Sequence, residues 1–122
     1  DTMKAILIDA VNRQIREVEL PEPKTVGYSA YNRAIYDLLG EDTSMMEGAV
    51  RFDNNDIIFV DEEGMFNRKT GGFSFDGSHV FMGNGLVCGG NDEGGAAPVK
   101  ISAREVAEKV RFALLIPKDI IW

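Results

Sequence analysis

The chain has 122 residues and a formal net charge of −7, with 44% hydrophobic and 27% charged residues. This length suits a single domain whose core is large enough to fold without disulfides or metal ions. Cys88 is the only cysteine, which excludes an intrachain disulfide and indicates a reducing compartment. No apolar run reaches the roughly 20 residues of a membrane-spanning helix. We interpret Asp1 and Thr2 as a remnant before the natural start at Met3, and residues 3–122 as the domain.

The negative charge is concentrated in residues 41–65. Eight acidic residues lie there with a single base, Arg51, while the rest of the chain holds 12 acidic and 12 basic residues and is neutral. A surface of this charge repels nucleic acid and attracts basic protein surfaces or cations. A solubilising face is the alternative interpretation.

A hairpin and a helix are predicted first along the chain. Residues 4–9 and 14–20 have strand character on either side of a turn, and a proline-rich linker follows. The helix is expected over residues 30–39, with Ser29 as its N-cap and Gly40 as its stop. Its apolar residues recur at i, i+4, i+7 and i+8, which predicts one core-facing stripe: Tyr31, Ile35, Leu38 and Leu39.

Short strands joined by tight turns are predicted next. The segments 50–52 and 57–60 flank the polar turn Asp53–Asp56. Asp76-Gly77 lies between two further apolar segments and is typical of a type I′ turn, in which both central residues adopt positive φ. Both pairs of segments are therefore expected to form antiparallel hairpins.

A glycine-rich stretch covers residues 81–95 (FMGNGLVCGGNDEGG). It does not match a dinucleotide fingerprint, because Cys88 takes the place of the third glycine and no helical pattern begins there. Without a helix N-terminus, the aligned amides that hold a phosphate are missing. We expect the glycines to bend a strand and residues 90–98 to form a flexible loop. The alternative is a backbone-mediated ligand loop at Gly83, Asn84 and Gly85.

A second helix is predicted after Ser102, which forms a capping box with Glu105. The apolar spacing extends this helix to Pro117, with a buried stripe of Ala103, Val106, Ala107, Val110 and Leu114. The apolar tail, residues 114–122, is expected to dock on its own domain or at an interface with a partner or a second copy of the chain. Its interface candidates are Ile120, Ile121 and Trp122.

The order of these elements predicts the fold class. A hairpin, a helix, several strands and a second helix indicate an α+β fold. The sheet is expected to be curved, mostly antiparallel and built from hairpins, with two helices packed on one face.

No catalytic or metal-binding constellation is identified. His79, the only histidine, and Cys88 are the residue types of a thiolate–imidazole pair, but Cys88 lies in an apolar run that disfavours a thiolate. Asp53–Asp56 and Asp61–Glu63 offer oxygen ligands on consecutive turns, but their spacing does not match an EF-hand loop. We therefore expect no catalytic residue, no bound metal and no cofactor.

Three motifs carry a resemblance to a known family. They are the apolar strand Met3–Asp9 with a lysine near its start, the acidic segment Phe59–Met65 (FVDEEGM) and the strand motif Gly83–Val87 (GNGLV). A helix that ends in Leu-Leu-Gly lies between the first motif and the second. In this order of motifs, residues 3–90 resemble a family of small phage, plasmid and bacterial proteins catalogued as domain of unknown function 3846. The resemblance implies an accessory protein of a mobile element inside a bacterial cell. It brings no activity and no catalytic residues.

The charge layout and this resemblance lead to a functional hypothesis. We expect a non-enzymatic accessory binding protein in the bacterial cytoplasm that engages a host protein with a basic surface, and neither nucleic acid nor a membrane. The acidic surface is assigned to Asp53, Asp56, Asp61, Glu62 and Glu63. The first alternative is an oligomeric protein that sequesters a nucleotide or another small ligand near Gly83–Gly95. The second is a metal-dependent enzyme that uses acidic residues.

Overall fold

The computed structural model describes residues 1–40, 43–64, 71–116 and 119–122, with the backbone alone described at 115, 116, 119 and 120. The helices are α1 (Pro23–Val26), α2 (Tyr28–Leu39) and α3 (Ala103–Lys109). The strands are β1 (Thr2–Asp9), β2 (Gln14–Pro21), β3 (Met46–Arg51), β4 (Ile57–Asp61), β5 (Gly71–Phe75), β6 (Phe81–Met82), β7 (Gly85–Gly90), β8 (Ala96–Ala97), β9 (Val110–Ile116) and β10 (Asp119–Ile121). The predicted α+β class is confirmed.

The strands form two antiparallel sheets. The main sheet is curved and has the order β2-β1-β7-β4-β3, with β8 paired to the end of β7. The small sheet has the order β10-β9-β5-β6. The predicted hairpins β1–β2 and β3–β4 are both present, and β1–β2 pairs without a break from Thr2 opposite Pro21 to Asp9 opposite Gln14.

The predicted turn at Asp76-Gly77 is present, with φ of 49° and 80° at the two residues. The backbone N–H of Ser78 donates to the carbonyl of Phe75 at 3.0 Å, which closes the turn. The ladder between β5 and β6 resumes only at Phe81, which lies opposite Phe73. The second strand of this hairpin is therefore shorter than the sequence suggested.

The central strands of the main sheet bury side chains on both faces, because successive residues of a strand point to opposite sides. One face packs on α2 and forms what we call the helix-side core, which contains Met3, Ala5, Leu7, Leu20, Tyr31, Ile35, Leu39, Leu86 and Cys88. The other face packs on the small sheet and α3 and forms the sheet-side core, which contains Ile6, Ile8, Ile58, Val60, Phe73, Phe75, Phe81, Val87, Val99, Ile101 and Val106.

The two longer helices thus cover opposite faces of the main sheet, which differs from the expected single face. The reason lies in the apolar runs of β1 and β7. Ile6 and Ile8 alternate with Ala5 and Leu7, and all four are buried. Both faces of such a strand must be removed from water, so a covering layer is needed on each side: α2 on one, and the small sheet with α3 on the other.

The helix boundaries differ from the prediction at two N-terminal positions. Gly27, with φ of 88°, occupies the N-cap position of α2 in place of Ser29. The expected linker contains α1, which begins at Pro23, a residue preorganised for the first position of a helix. Gly40 ends α2 as predicted, and its N–H donates to the carbonyl of Tyr36 at 3.1 Å.

Ser102 is confirmed as the N-cap of α3, but the predicted length of this helix is wrong. The Ser102 hydroxyl oxygen accepts the backbone N–H of Glu105 at 3.1 Å. The helix ends at Lys109, and residues 110–116 form β9, in which Val110 lies opposite Phe75 of β5. Apolar residues spaced for a helical stripe also suit a strand, and pairing with β5 decided between the two. The expected stop, Pro117, lies outside the described residues.

Candidate functional site

The predicted acidic surface is divided between buried and exposed residues. Asp53, Glu62 and Glu63 are exposed. Asp56 and Asp61 are only 1% and 5% exposed, so their assignment to a partner-binding surface is wrong. A buried carboxylate must find hydrogen-bond donors inside the protein, and both residues do.

Asp56 joins the β3–β4 turn to the segment that precedes α3. Its carboxylate accepts the backbone N–H of Lys100 at 3.0 Å and that of Ile101 at 2.8 Å. Its own backbone N–H donates to the side-chain oxygen of Asn54 at 2.8 Å. The role of Asp56 is therefore structural.

Asp61 organises the turn that follows β4. Its Oδ1 accepts the backbone N–H of Glu63 at 2.9 Å, and the Thr43 hydroxyl donates to its Oδ2 at 3.3 Å. Glu62 and Glu63, in the same turn, are both exposed.

The exposed acids of the β3–β4 hairpin lie at its two ends. Glu47 is opposite Val60 in the register, so it lies at the same end as Glu62 and Glu63, and we call these three residues the acidic end. Their carboxylates take part in no hydrogen bond or ion pair within the part of the chain that the structure describes. Asp53 lies at the opposite end. Glu41 and Asp42 lie outside the described residues.

The residues proposed as a ligand loop have structural roles. Asn84 accepts the backbone N–H of Ala10 at 2.9 Å and donates to the carbonyl of Leu38 at 3.1 Å, so it braces the β1–β2 turn against the end of α2. Gly83 has φ of 93°, a conformation that favours glycine. A Cβ at Gly85 would lie 2.5 Å from the Phe73 ring. No helix begins at this point, and residues 85–90 form β7.

The second part of the glycine stretch forms a closed turn. Gly90 pairs with Ala96, so the expected loop shortens to residues 91–95. The Asn91 side-chain oxygen accepts the backbone N–H groups of Glu93 at 3.0 Å and Gly95 at 2.8 Å. Because these N–H groups are bonded within the turn, they do not form a phosphate cradle.

A groove of about 370 Å³ lies beside this turn, between the start of α2, the β3–β4 hairpin and the turn 91–95. Its lining includes Tyr28, Tyr31, Asn32, Arg51, Asn55 and Phe59. The Tyr28 ring contacts Tyr31 edge-on, with 5.8 Å between centroids and 82° between planes. Its hydroxyl accepts the backbone N–H of Ala96 at 3.2 Å. Three segments that are far apart in the chain form this groove, so no single local sequence motif predicts it.

Cys88 and His79 do not form a catalytic pair. Cys88 is buried in the helix-side core, and this burial raises the pKa of its thiol to about 12, with the nearby Asp56 charge acting in the same direction and a hydrogen bond with Tyr31 opposing them. His79 is exposed, and its ring lies 4.5 Å from that of Phe81, a member of the sheet-side core. The thiol therefore stays neutral at physiological pH, which disfavours nucleophilic chemistry.

Within residues 1–40, 43–64, 71–116 and 119–122, no group of three or more His, Cys, Asp or Glu side chains is arranged to hold a metal ion. None of the described helices is long and apolar enough to cross a membrane.

The C-terminal tail folds back on itself as a hairpin, and its first residue, Leu114, pairs with Gly71 of β5. Ile121 of β10 lies opposite Leu114 of β9. Ile121 and Trp122 remain 49% and 47% exposed, and the Arg111 guanidinium lies 4.5 Å from the centroid of the Trp122 ring. The side chain of Ile120 lies outside the described residues.

These features define a small α+β protein with a curved antiparallel sheet, an acidic hairpin end and a groove beside a glycine-rich turn. A family model described as Domain of unknown function (DUF3846) matches residues 3–110, so the chain belongs to this family, as the three motifs predicted. The match extends beyond the motifs through α3 to the first residue of β9. Neither the curated proteins nor the solved structures include a significant match to the chain.

Proposed function

We propose that the chain is a non-enzymatic binding protein that engages a basic surface of a host protein through its acidic end. The observation that carries this proposal is the state of Glu47, Glu62 and Glu63. All three are exposed, and their carboxylates have no partner among the described residues. Several other surface acids are paired, as in Lys4–Glu17, Arg104–Glu108 and Lys109–Asp76, whereas these three unpaired acids lie together at one end of the hairpin.

The position of the acidic end supports a role in recognition. β3 is an edge strand of the main sheet, so Glu47 lies at the border of the sheet, and Glu62 and Glu63 follow its neighbour β4. Hydrated, unpaired charges act at long range on an approaching partner and raise the association rate with a surface of opposite sign. The net charge of −7 opposes binding to nucleic acid and to anionic membrane surfaces. The family resemblance favours a partner in the bacterial cytoplasm.

Paired charge-neutralising variants test the proposal. Glu47→Gln/Glu62→Gln/Glu63→Gln removes the acidic end and spares the structural Asp56 and Asp61. The matched control, Glu17→Gln/Glu19→Gln/Glu108→Gln, removes three exposed carboxylates elsewhere. Both variants and the wild type are used for affinity capture from bacterial lysate, and the captured partner is then purified for titration.

We expect the first variant to bind the purified partner at least about tenfold more weakly than the wild type, and the control to bind like the wild type. The affinity of the wild type should also fall as the salt concentration rises, because salt screens exposed charges. Equal affinities of both variants, or an affinity independent of salt, would contradict a role for the acidic end.

A further inference from the structure

We infer that the groove is a binding site for a nucleotide that carries a singly charged phosphodiester. This site is separate from the acidic end, since Glu47, Glu62 and Glu63 do not line it. It also lies apart from Gly83 and Asn84, the residues to which the sequence assigned a ligand loop. The inference depends on the volume of the groove, one aromatic ring that is held in place, and an amide and a guanidinium that have no partner among the described residues.

The groove has the size of a small-molecule site. Its volume of about 370 Å³ falls within the range of roughly 300–1,000 Å³ that is usual for such sites. Its floor contains Ile57 and Phe59, which are partly buried against the helix-side core. Gly90 helps to keep it open, because a Cβ there would point towards the carbonyl of Asn55, 3.0 Å away.

Tyr28 provides an aromatic surface that is held in place. Its hydroxyl bonds to the backbone of Ala96 on one side of the groove, and its ring contacts the buried Tyr31 on the other. The residue is nevertheless 53% exposed. A ring that is fixed before binding loses little freedom when a planar base stacks on it, so this position suits a nucleobase.

Asn32 provides polar contacts next to this ring. Its amide takes part in no hydrogen bond among the described residues, and it offers both a donor and an acceptor. Such a pair matches the edge of a nucleobase, which presents donors and acceptors side by side. Asn55, on the opposite wall, already donates to Asp92 at 2.9 Å, and its side-chain oxygen faces no donor among the described residues.

The charges of the lining favour a ligand with one negative charge, because the lining contains the cation Arg51 and the buried anion Asp56. The Lys100 ammonium donates to the Gly90 carbonyl at 2.7 Å and lies outside the lining. Arg51 is the only basic residue in the lining, and its exposed guanidinium makes no hydrogen bond or ion pair within the described part of the chain. A guanidinium binds two phosphate oxygens at once. The exposed Asp92 and Glu93 on the neighbouring turn would repel a second negative charge. A phosphate monoester carries about −1.5 to −2 at pH 7, whereas a phosphodiester carries a single charge.

Titration calorimetry on the full chain tests this inference with four probes: cyclic AMP, cyclic GMP, AMP and GMP. We expect at least one cyclic nucleotide to bind, and at least about tenfold more tightly than its monoester. Arg51→Gln and Tyr28→Leu should each weaken this binding about tenfold or more. Arg33→Gln, which removes an exposed arginine of α2 outside the groove, should leave it unchanged. Thermal unfolding without ligand verifies that each variant is folded.

Three results would overturn the inference. The first is that no probe binds the wild type at about 1 mM, the weak end of specific recognition. The second is that a monoester binds as tightly as its cyclic form. The third is that a folded Arg51→Gln variant keeps the wild-type affinity. The acidic-end variant serves as a further control, because its groove is intact and it should bind the nucleotide normally.

Discussion

The carboxylate of Asp56 accepts the backbone N–H of Ile101 at 2.8 Å, although the two residues are 45 positions apart in the chain. This bond and the one from Lys100 fasten the tip of the β3–β4 hairpin to the segment that starts α3. Asp53 belongs to the same turn but is exposed and makes no such bond. Two acids of one turn therefore have different physical roles.

A pair of substitutions in this turn should separate these roles. Asp56→Asn replaces one acceptor oxygen with an NH₂ group that faces the backbone donors, and should lower the free energy of unfolding by about 2–3 kcal/mol. Asp53→Asn should change it by less than about 0.5 kcal/mol. Urea unfolding of both variants measures the difference. Equal destabilisation by the two substitutions would show that the buried bonds of Asp56 contribute nothing specific.

Asn84 should contribute to stability through its two bonds across the fold. Asn84→Ala leaves the N–H of Ala10 and the carbonyl of Leu38 without this partner, and should lower the free energy of unfolding by about 1–2 kcal/mol. Asn32→Ala is the matched control, because the Asn32 amide makes no hydrogen bond among the described residues, and should cost less than about 0.5 kcal/mol. Denaturant titrations would refute the bracing role if the two variants were equally stable.

Asp9 should make the stability of the protein depend on pH in the acid range. Burial alone would raise the pKa of Asp9, but hydrogen bonds from the side chain and backbone of Asn12, together with the Arg16 guanidinium at 2.8 Å, outweigh it and hold this pKa below its ordinary value of 3.8. The unfolded state therefore takes up the proton first as the pH falls. The stabilisation is complete above the ordinary pKa and is lost as the pH falls through the lowered one.

Comparison with Asp9→Asn measures this effect. At neutral pH the variant should be less stable than the wild type by about 1–3 kcal/mol, because it loses the charge-assisted bonds from Asn12 and Arg16. The difference should shrink once the pH falls below about 4, as the wild-type carboxylate loses its charge. A gap in unfolding free energy that stayed constant from about pH 7 to about pH 3 would rule out this linkage.

Cys88 should be inert in the folded protein. Burial raises the pKa of its thiol to about 12, and the side chain is 1% exposed, so neither the thiolate nor access is available to a reagent. A thiol-specific dye at about pH 8 should label the native protein at least about 100-fold more slowly than the denatured protein. Rapid labelling of the native state would show that the helix-side core opens readily.

Features that depend on neighbouring residues were predictable. The type I′ turn at Asp76-Gly77 and the Ser102–Glu105 cap each involve residues at most four positions apart, so local spacing is sufficient to specify them. Residues 110–116 show the opposite case. Their apolar spacing fits both a helix and a strand. They form a strand because they pair with β5, which lies beside them in the fold.

The sequence by itself determined the family, the net charge and its position along the chain, the single thiol and most of the hairpins. Tertiary structure decided which acids reach water: Asp56 and Asp61 are buried, while Asp53, Glu62 and Glu63 are exposed. It also formed the groove, which joins the start of α2, the β3–β4 hairpin and the turn 91–95. The reason is physical: exposure and cavities depend on contacts between residues distant in the chain, and no local spacing records which distant segments will meet.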